Sequence, residues 1–193
     1  MRVTAGIAKG RRLRAPSTPE MRPTADMVRK SIFDILGDAP RDARVLDLFA
    51  GAGTLGIEAL SRGAREAVFV DSDSAACAAA RDNAAACGFA DQVRVHRVDV
   101  LRYLARAPRT PFDLVFLDPP YARGLGFCAR VLDRIAAEDW VRPGGTVVVE
   151  AASEILEWPA GFRETRTRRF GQTQVGMAIR DETRADGDLP GDV

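Results

Sequence analysis

Phe112-Asp113-Leu114-Val115-Phe116-Leu117-Asp118-Pro119-Pro120-Tyr121 is an apolar run closed by an acid, two prolines and an aromatic ring. Leu114 to Leu117 leave no polar side to face water, so the run predicts a strand buried on both faces, as in a parallel sheet covered by helices. The strand must end at Asp118. Pro119 and Pro120 lack a backbone donor and fix φ, so the chain leaves the sheet in a stiff, extended corner that presents Asp118 and Tyr121 at the carboxyl edge. In open α/β sheets that edge is where ligands bind.

The flanking sequence repeats the same unit. Arg44 to Phe49 predicts a first strand and Thr54 to Arg62 a helix ended by Gly63; Ala67 to Asp71 a second strand and Ser74 to Cys87 a helix closed by Gly88. Val93 to Val98 and Val100 to Arg106 form the third pair, Phe127 to Ala137 the helix after the opening strand, and Gly144-Gly145 turns into a fifth strand, Thr146 to Glu150. Such alternation calls for right-handed crossovers and a parallel sheet with helices on both faces. Phe162 to Phe170 and Val175 to Ile179 break the rhythm and predict an appended antiparallel hairpin.

Upstream, Thr24 caps a helix that carries Val28, Ile32, Ile35 and Leu36 on one face and stops at Gly37. Residues 2 to 14, with glycines at 6 and 10, predict a small β-hairpin with no core of its own. Three segments are therefore expected: a basic hairpin and proline-bearing connector over 1–23, the α/β domain over 24–180, and an acidic, disordered tail over 181–193.

A chain of 193 residues suffices for one such domain and an appendage. No apolar run approaches the ~20 residues that span a bilayer, and the first residues hold no apolar secretory signal. Cys77, Cys87 and Cys128 are odd in number and lack metal-ligand spacing, which fits reduced thiols in a cytoplasm. The net charge of +1 hides an asymmetry: residues 1–30 carry eight basic side chains against Glu20 and Asp26, whereas residues 181–193 carry five acids against Arg184. A basic leading segment beside a nearly neutral body points to contact with phosphates, with a solvated arm as the alternative.

Asp47-Leu48-Phe49-Ala50-Gly51-Ala52-Gly53-Thr54-Leu55-Gly56 follows the first strand and opens a helix, where glycines let the backbone approach a ligand and free N–H groups await a partner. Gly51-x-Gly53-x-x-Gly56 also satisfies the dinucleotide fingerprint. Asp71, 20 residues after Gly51, suits the hydroxyls of a ribose, while Asp73 caps the next helix. Asp99 follows the third strand and is either a cap or a ligand contact. Asp47, Asp71, Asp99 and Asp118, each after its own strand, are expected on one rim. Four carboxylates there favour a ligand rich in hydroxyl, amino and ammonium donors over a polyphosphate, and no GxxxxGK[ST] is present.

These motifs, in this order, resemble those of class I S-adenosylmethionine-dependent methyltransferases that modify exocyclic amines. More narrowly, Gly6-x-x-Lys9-Gly10-Arg11-x-Leu13, Arg22-Pro23-Thr24-x-Asp26-x-Val28-Arg29 and Phe49-Ala50-Gly51-x-Gly53-x-Leu55-Gly56-x-Glu58-Ala59 resemble the bacterial 16S rRNA guanine-N2 methyltransferase family, RsmD, over about residues 2–180. The resemblance implies a Rossmann-like, mostly parallel seven-stranded sheet. It implies that the cofactor's methionine part lies on the loop of Asp47, Phe49, Ala50, Gly51, Gly53, Leu55 and Gly56, its ribose on Asp71 beside Ser72, and its adenine between Asp99 and Val100. Asp118 borders the cofactor and, with the Pro119 carbonyl, accepts the N–H groups of the target amine; Pro120 shapes the corner and Tyr121 stacks on the base. Neither a metal nor a nucleophilic cysteine is required.

Lys9, Arg11, Arg12, Arg22, Arg29 and Arg123 are the expected RNA contacts. Arg166, Arg168 and Arg169 are weaker candidates, since charges on an edge strand also protect it. The chain departs from the family at Ala5, where a second glycine is usual, and at Ala8, where an aromatic is common. The implied substrate is 16S rRNA in a partly assembled small subunit, and the implied state a cytoplasmic monomer. Three other readings stay open: a DNA adenine or cytosine amine as substrate, since such enzymes share Asp118-Pro119-Pro120-Tyr121; a dinucleotide-dependent oxidoreductase; and a binding protein without catalysis.

Overall fold

Leu114 to Leu117 are no more than 1% exposed, because their strand lies at the centre of a seven-stranded sheet with helices on both sides. The computed structural model describes residues 1–15, 23–120, 124–152 and 157–182. The strands are β1 (Arg44–Leu48), β2 (Glu66–Asp71), β3 (Val93–Arg97), β4 (Phe112–Leu117), β5 (Val141–Ala152), β6 (Phe162–Phe170) and β7 (Thr173–Arg180), and the helices α1 (Pro23–Leu36), α2 (Thr54–Ser61), α3 (Ser74–Ala86), α4 (Val100–Leu104) and α5 (Leu125–Ala137). The sheet order is β3-β2-β1-β4-β5-β7-β6. β1 to β5 are parallel, and β7 enters antiparallel between β5 and β6. This is the Rossmann-like class I arrangement expected from the sequence.

The period of two along each strand divides the core. Val45, Leu114 and Phe116 face α1, α2 and α3, with Phe33 of α1 against Phe116 at 5.6 Å between ring centroids. Leu46, Leu48, Val115 and Leu117 face α4 and α5, which contribute Leu104, Val131, Leu132 and Ile135. Both faces of the parallel strands are therefore dry, the physical reason that their sequences run apolar without alternation.

Three local expectations change. Gly144-Gly145 does not turn into β5 but lies within it, where the register against β4 shifts between Phe112 and Leu114; a bulge needs the same glycines as a turn. The C-terminal turn is tighter than predicted, because Phe170 already pairs with Thr173. The amino-terminal hairpin reduces to one bridge, Arg2 with Arg12, backed by Val3 N–H to the Arg11 carbonyl (3.0 Å) and Gly10 N–H to the Val3 carbonyl (2.9 Å). Its apolar side, Val3, Ala8 and Leu13, is buried in the core under α1 and α2. The expected tail lies, from residue 183 onward, outside the described residues. Among the described residues no helix is long and apolar enough to cross a membrane.

Candidate active site

The sheet order reverses between β1 and β4, which opens a crevice beyond their carboxyl ends. Leu48 is in register with Leu117, and the Asp118 N–H reaches the Leu48 carbonyl at 3.5 Å. The corner after β4 thus starts beside the loop after β1. Asp118 is half-buried, Pro119 buried and Pro120 exposed. Tyr121 and Arg123 lie outside the described residues. Asp118 also stands near α5, where the buried Cys128 thiol is pushed up by desolvation first, with the Asp118 charge adding to it.

The loop after β1 is held across two strands. Phe49 takes a left-handed φ of 62° and sets its ring edge-on to Phe127 of α5, at 5.6 Å. A bulky residue in that region is strained and persists only where packing fixes it. Ala50 N–H donates to the Val70 carbonyl (3.1 Å) and Gly51 N–H to Asp71 Oδ2 (2.9 Å), drawing the loop over the ends of β1 and β2. Asp71 Oδ1 accepts the Asp73 N–H at 2.9 Å. Each oxygen of this half-exposed carboxylate keeps accepting capacity for a ligand hydroxyl.

The glycine fingerprint divides into two kinds of position. A Cβ on Gly51 would meet only the Phe49 carbonyl, at 4.0 Å, so the loop is open to a ligand there. A Cβ on Gly56 would lie 2.1 Å from the Phe69 ring, and one on Gly53 2.9 Å from it. Those two let α2 pack onto β2. Open backbone and a half-exposed carboxylate therefore adjoin at Gly51 and Asp71. Leu55, 8% exposed, belongs to the core, as does Ala50 at the same exposure.

Asp47 departs from the expected rim of four acids. It lies within β1, on the face that α2 covers, is 1% exposed, and accepts the Gly56 N–H at 2.9 Å. Burial raises its pKa to about 7, opposed by the Gly56 bond and assisted by the Asp71 charge. It braces the loop from beneath and is not part of a ligand surface. Asp99 caps α4, accepting the Arg102 N–H at 3.1 Å, while Val100 is packed into the second core with 2% exposed. Only the backbone of Val100 is left to border an adenine. Ser72 is exposed, and Asp73 caps α3 through the Ala76 N–H (2.7 Å), as its place in the sequence predicts.

Of the expected RNA contacts, Lys9, Arg11 and Arg12 are exposed on the amino-terminal segment, and Arg22 lies outside the described residues. Arg29 departs from the expectation. It is 4% exposed, donates to the Arg2 carbonyl (2.6 Å) and Asp26 Oδ1 (2.9 Å), and lies 3.7 Å from Glu58. A buried guanidinium committed to the protein's own carboxylates does not reach a phosphate.

Glu58, Ser61 and Asn83 received no role from sequence reasoning. Glu58, fully buried on α2, accepts Thr4 N–H (2.8 Å), Thr4 Oγ1 (2.6 Å), Ala5 N–H (3.0 Å) and Arg62 Nε (2.9 Å). Ser61 Oγ accepts the Ala8 N–H at 2.9 Å. Asn83 of α3 exchanges two bonds with the Arg14 backbone, each 2.8 Å, and donates to the Ala52 carbonyl of the glycine loop at 3.0 Å. The basic segment is thereby fixed to the frame of the site. A lone carboxylate within the apolar stretch Leu55–Leu60 was the one available signal, since a buried charge demands partners.

Residues 1–179 match the protein family described as "Conserved hypothetical protein 95". Ribosomal RNA small subunit methyltransferase D of Escherichia coli K12 is 33% identical over 183 residues, covering 94% of this chain and 90% of that protein. The chain belongs to this family, RsmD. YlbH of Bacillus subtilis is 45% identical over 92% of the chain and 97% of its own length. The solved structure of yhhF from Escherichia coli superposes with a TM-score of 0.85 at 33% identity, over 94% of this chain and 98% of that one. An RNA methyltransferase of Salinibacter ruber, solved with S-adenosyl-L-homocysteine, shares the fold at a TM-score of 0.59 and 20% identity, over 89% of this chain and all of that one.

Proposed function

We propose that this RsmD-family chain transfers a methyl group from S-adenosylmethionine to the exocyclic N2 amine of a guanine in small-subunit ribosomal RNA. The observation that carries the reading is the adjacency, at the switch between β1 and β4, of the open Gly51–Asp71 cradle and the Asp118-Pro119-Pro120 corner. Relatives named as small-subunit rRNA methyltransferases support the substrate class.

Gly51, Asp71 and Asp99 are the residues that would hold the cofactor, with Phe49 and Ala50 shaping the loop. Bound there, S-adenosylmethionine supplies an electrophilic methyl on a sulfonium, which takes the amine's lone pair. A guanine N2 amine is a poor nucleophile, because its lone pair is delocalised into the ring. Asp118 and the Pro119 carbonyl accept its two N–H groups, which aligns the lone pair and stabilises the positive charge that develops. The surplus proton leaves the nitrogen toward the Asp118 carboxylate. The Pro119-Pro120 corner keeps these acceptors from collapsing into the sheet. Tyr121 stacks on the target base, which must be out of any helix to enter. Lys9, Arg11 and Arg12 hold the flanking phosphates.

Nucleoside mass spectrometry of small-subunit RNA incubated with the protein and S-adenosylmethionine tests this reading. N2-methylguanosine at one position is expected. Methylated adenine or cytosine in DNA, with unmodified RNA, would overturn it.

A further inference from the structure

β6 carries Phe162-Arg163-Glu164-Thr165-Arg166-Thr167-Arg168-Arg169-Phe170, and all seven residues between the two phenylalanines are exposed. An edge strand under a helix buries every second side chain; here no described residue covers either face. Two of its charges are already engaged, Arg163 with Asp181 at 3.8 Å and Glu164 with the Trp158 indole N–H at 3.0 Å. Arg166, Arg168 and Arg169 pair with no described residue. The register sets Arg166 and Arg168 opposite Met177 and Val175, on the sheet face that α1 shares, and Arg169 opposite Gln174 on the other face.

Direction matters as much as charge. Because β7 is antiparallel to both neighbours, β6 runs the same way as β4, so Arg166 to Arg169 approach the same carboxyl edge as Asp118. Three strand spacings separate β4 from β6, roughly 14 Å. The basic amino-terminal segment is bonded to α2 and α3, over the opposite half of the sheet. Asp118 therefore lies between two basic surfaces.

We propose that Arg166, Arg168 and Arg169 form a second contact surface for the phosphate backbone of the RNA substrate, on the side of the site away from the amino-terminal segment. Protection of the edge needs less than this: the bulge between Glu164 and Arg166 and the Arg163–Asp181 pair already interrupt it. Three arginines that pair with no described residue add a field of one sign, which suits a polyanion. The inference rests on the proposed RNA substrate.

The full chain with Arg166→Gln, Arg168→Gln and Arg169→Gln tests it against small-subunit rRNA as the probe. Relative to wild type, the slope of log affinity against log salt should fall by about 2 and KM for RNA should rise about tenfold or more, with kcat at saturating RNA and affinity for S-adenosylmethionine unchanged. The triple lysine variant should retain the wild-type slope. An unchanged slope and KM in the glutamine variant, with a wild type active on the same RNA, overturns the surface alone; a wild type inactive on RNA overturns the substrate reading instead. A defect confined to protein-bound subunits, with naked RNA unaffected, would assign β6 to a protein partner and also contradict the proposal.

Discussion

Asp47 lies in β1 and Asp118 directly after β4, its parallel neighbour; they sit one residue before and one residue after the same Leu48–Leu117 register pair. In sequence both look like acids closing an apolar strand. Their environments differ: Asp47 is 1% exposed under α2 and bonded to the Gly56 N–H, whereas Asp118 is half-buried at the crevice, ahead of two prolines. The chain after Asp47 turns back through glycines and lays a helix over the acid. After Asp118, Pro119 and Pro120 carry it outward. The residues just downstream of an acid decide whether it is buried in the frame or left at the crevice.

Frame carboxylates should govern folding, and Glu58 gives the largest effect. Glu58→Ala strands the buried Arg29 and the Thr4 and Ala5 donors, which should cost about 3–5 kcal/mol and lower Tm by roughly 10 °C. Thermal melts check this; a shift under about 2 °C would mean that the amino-terminal segment is held by its apolar contacts alone.

Asp47 should announce itself through pH. Its folded-state pKa, about 7, lies above the ordinary carboxylate value of 3.8, so the fold binds this proton more tightly than the unfolded chain. The associated stability is fully present below about pH 4 and is lost as pH rises through 7. Asp47→Asn should therefore gain on the wild type between pH 5 and pH 8, by about 2–3 kcal/mol. Parallel denaturation curves at the two pH values measure it, and an unchanged difference between the proteins would contradict the buried, proton-holding role.

The glycines offer a smaller version of the same contrast. Gly56→Ala meets the Phe69 ring and should lose about 1–3 kcal/mol in a denaturant titration, with affinity for S-adenosylmethionine little altered in the folded fraction. Gly51→Ala has open space and should lose about 1 kcal/mol, from its left-handed backbone alone, yet weaken cofactor binding about tenfold by calorimetry. The reverse ranking would exchange their roles.

Much of this was legible in the residues. Apolar strands alternating with helices stopped by Gly63 and Gly88 give the pattern of β1 to β4, and Pro119-Pro120 marks the exit at the crevice. The sequence does not reveal which side of a strand a helix will cover, so Asp47 looked equivalent to Asp71 and Asp118. Arg29 reads as a surface cation because its partner Glu58 is 29 residues away and becomes a neighbour only when α1 and the amino-terminal segment pack on α2. Gly144-Gly145 reads as a turn because bulges and turns draw on the same conformations.

The measurement that bears most directly on the site compares Asp118→Ala with Asp47→Asn in single-turnover methyl transfer to small-subunit rRNA, alongside cofactor affinity. Asp118→Ala should transfer methyl about a thousandfold more slowly or not at all, with affinity for S-adenosylmethionine within about threefold of wild type. Asp47→Asn should remain within about tenfold of wild type at pH 7. Undiminished transfer by Asp118→Ala, or a loss in Asp47→Asn as large as its neighbour's, would contradict the division between frame and chemistry.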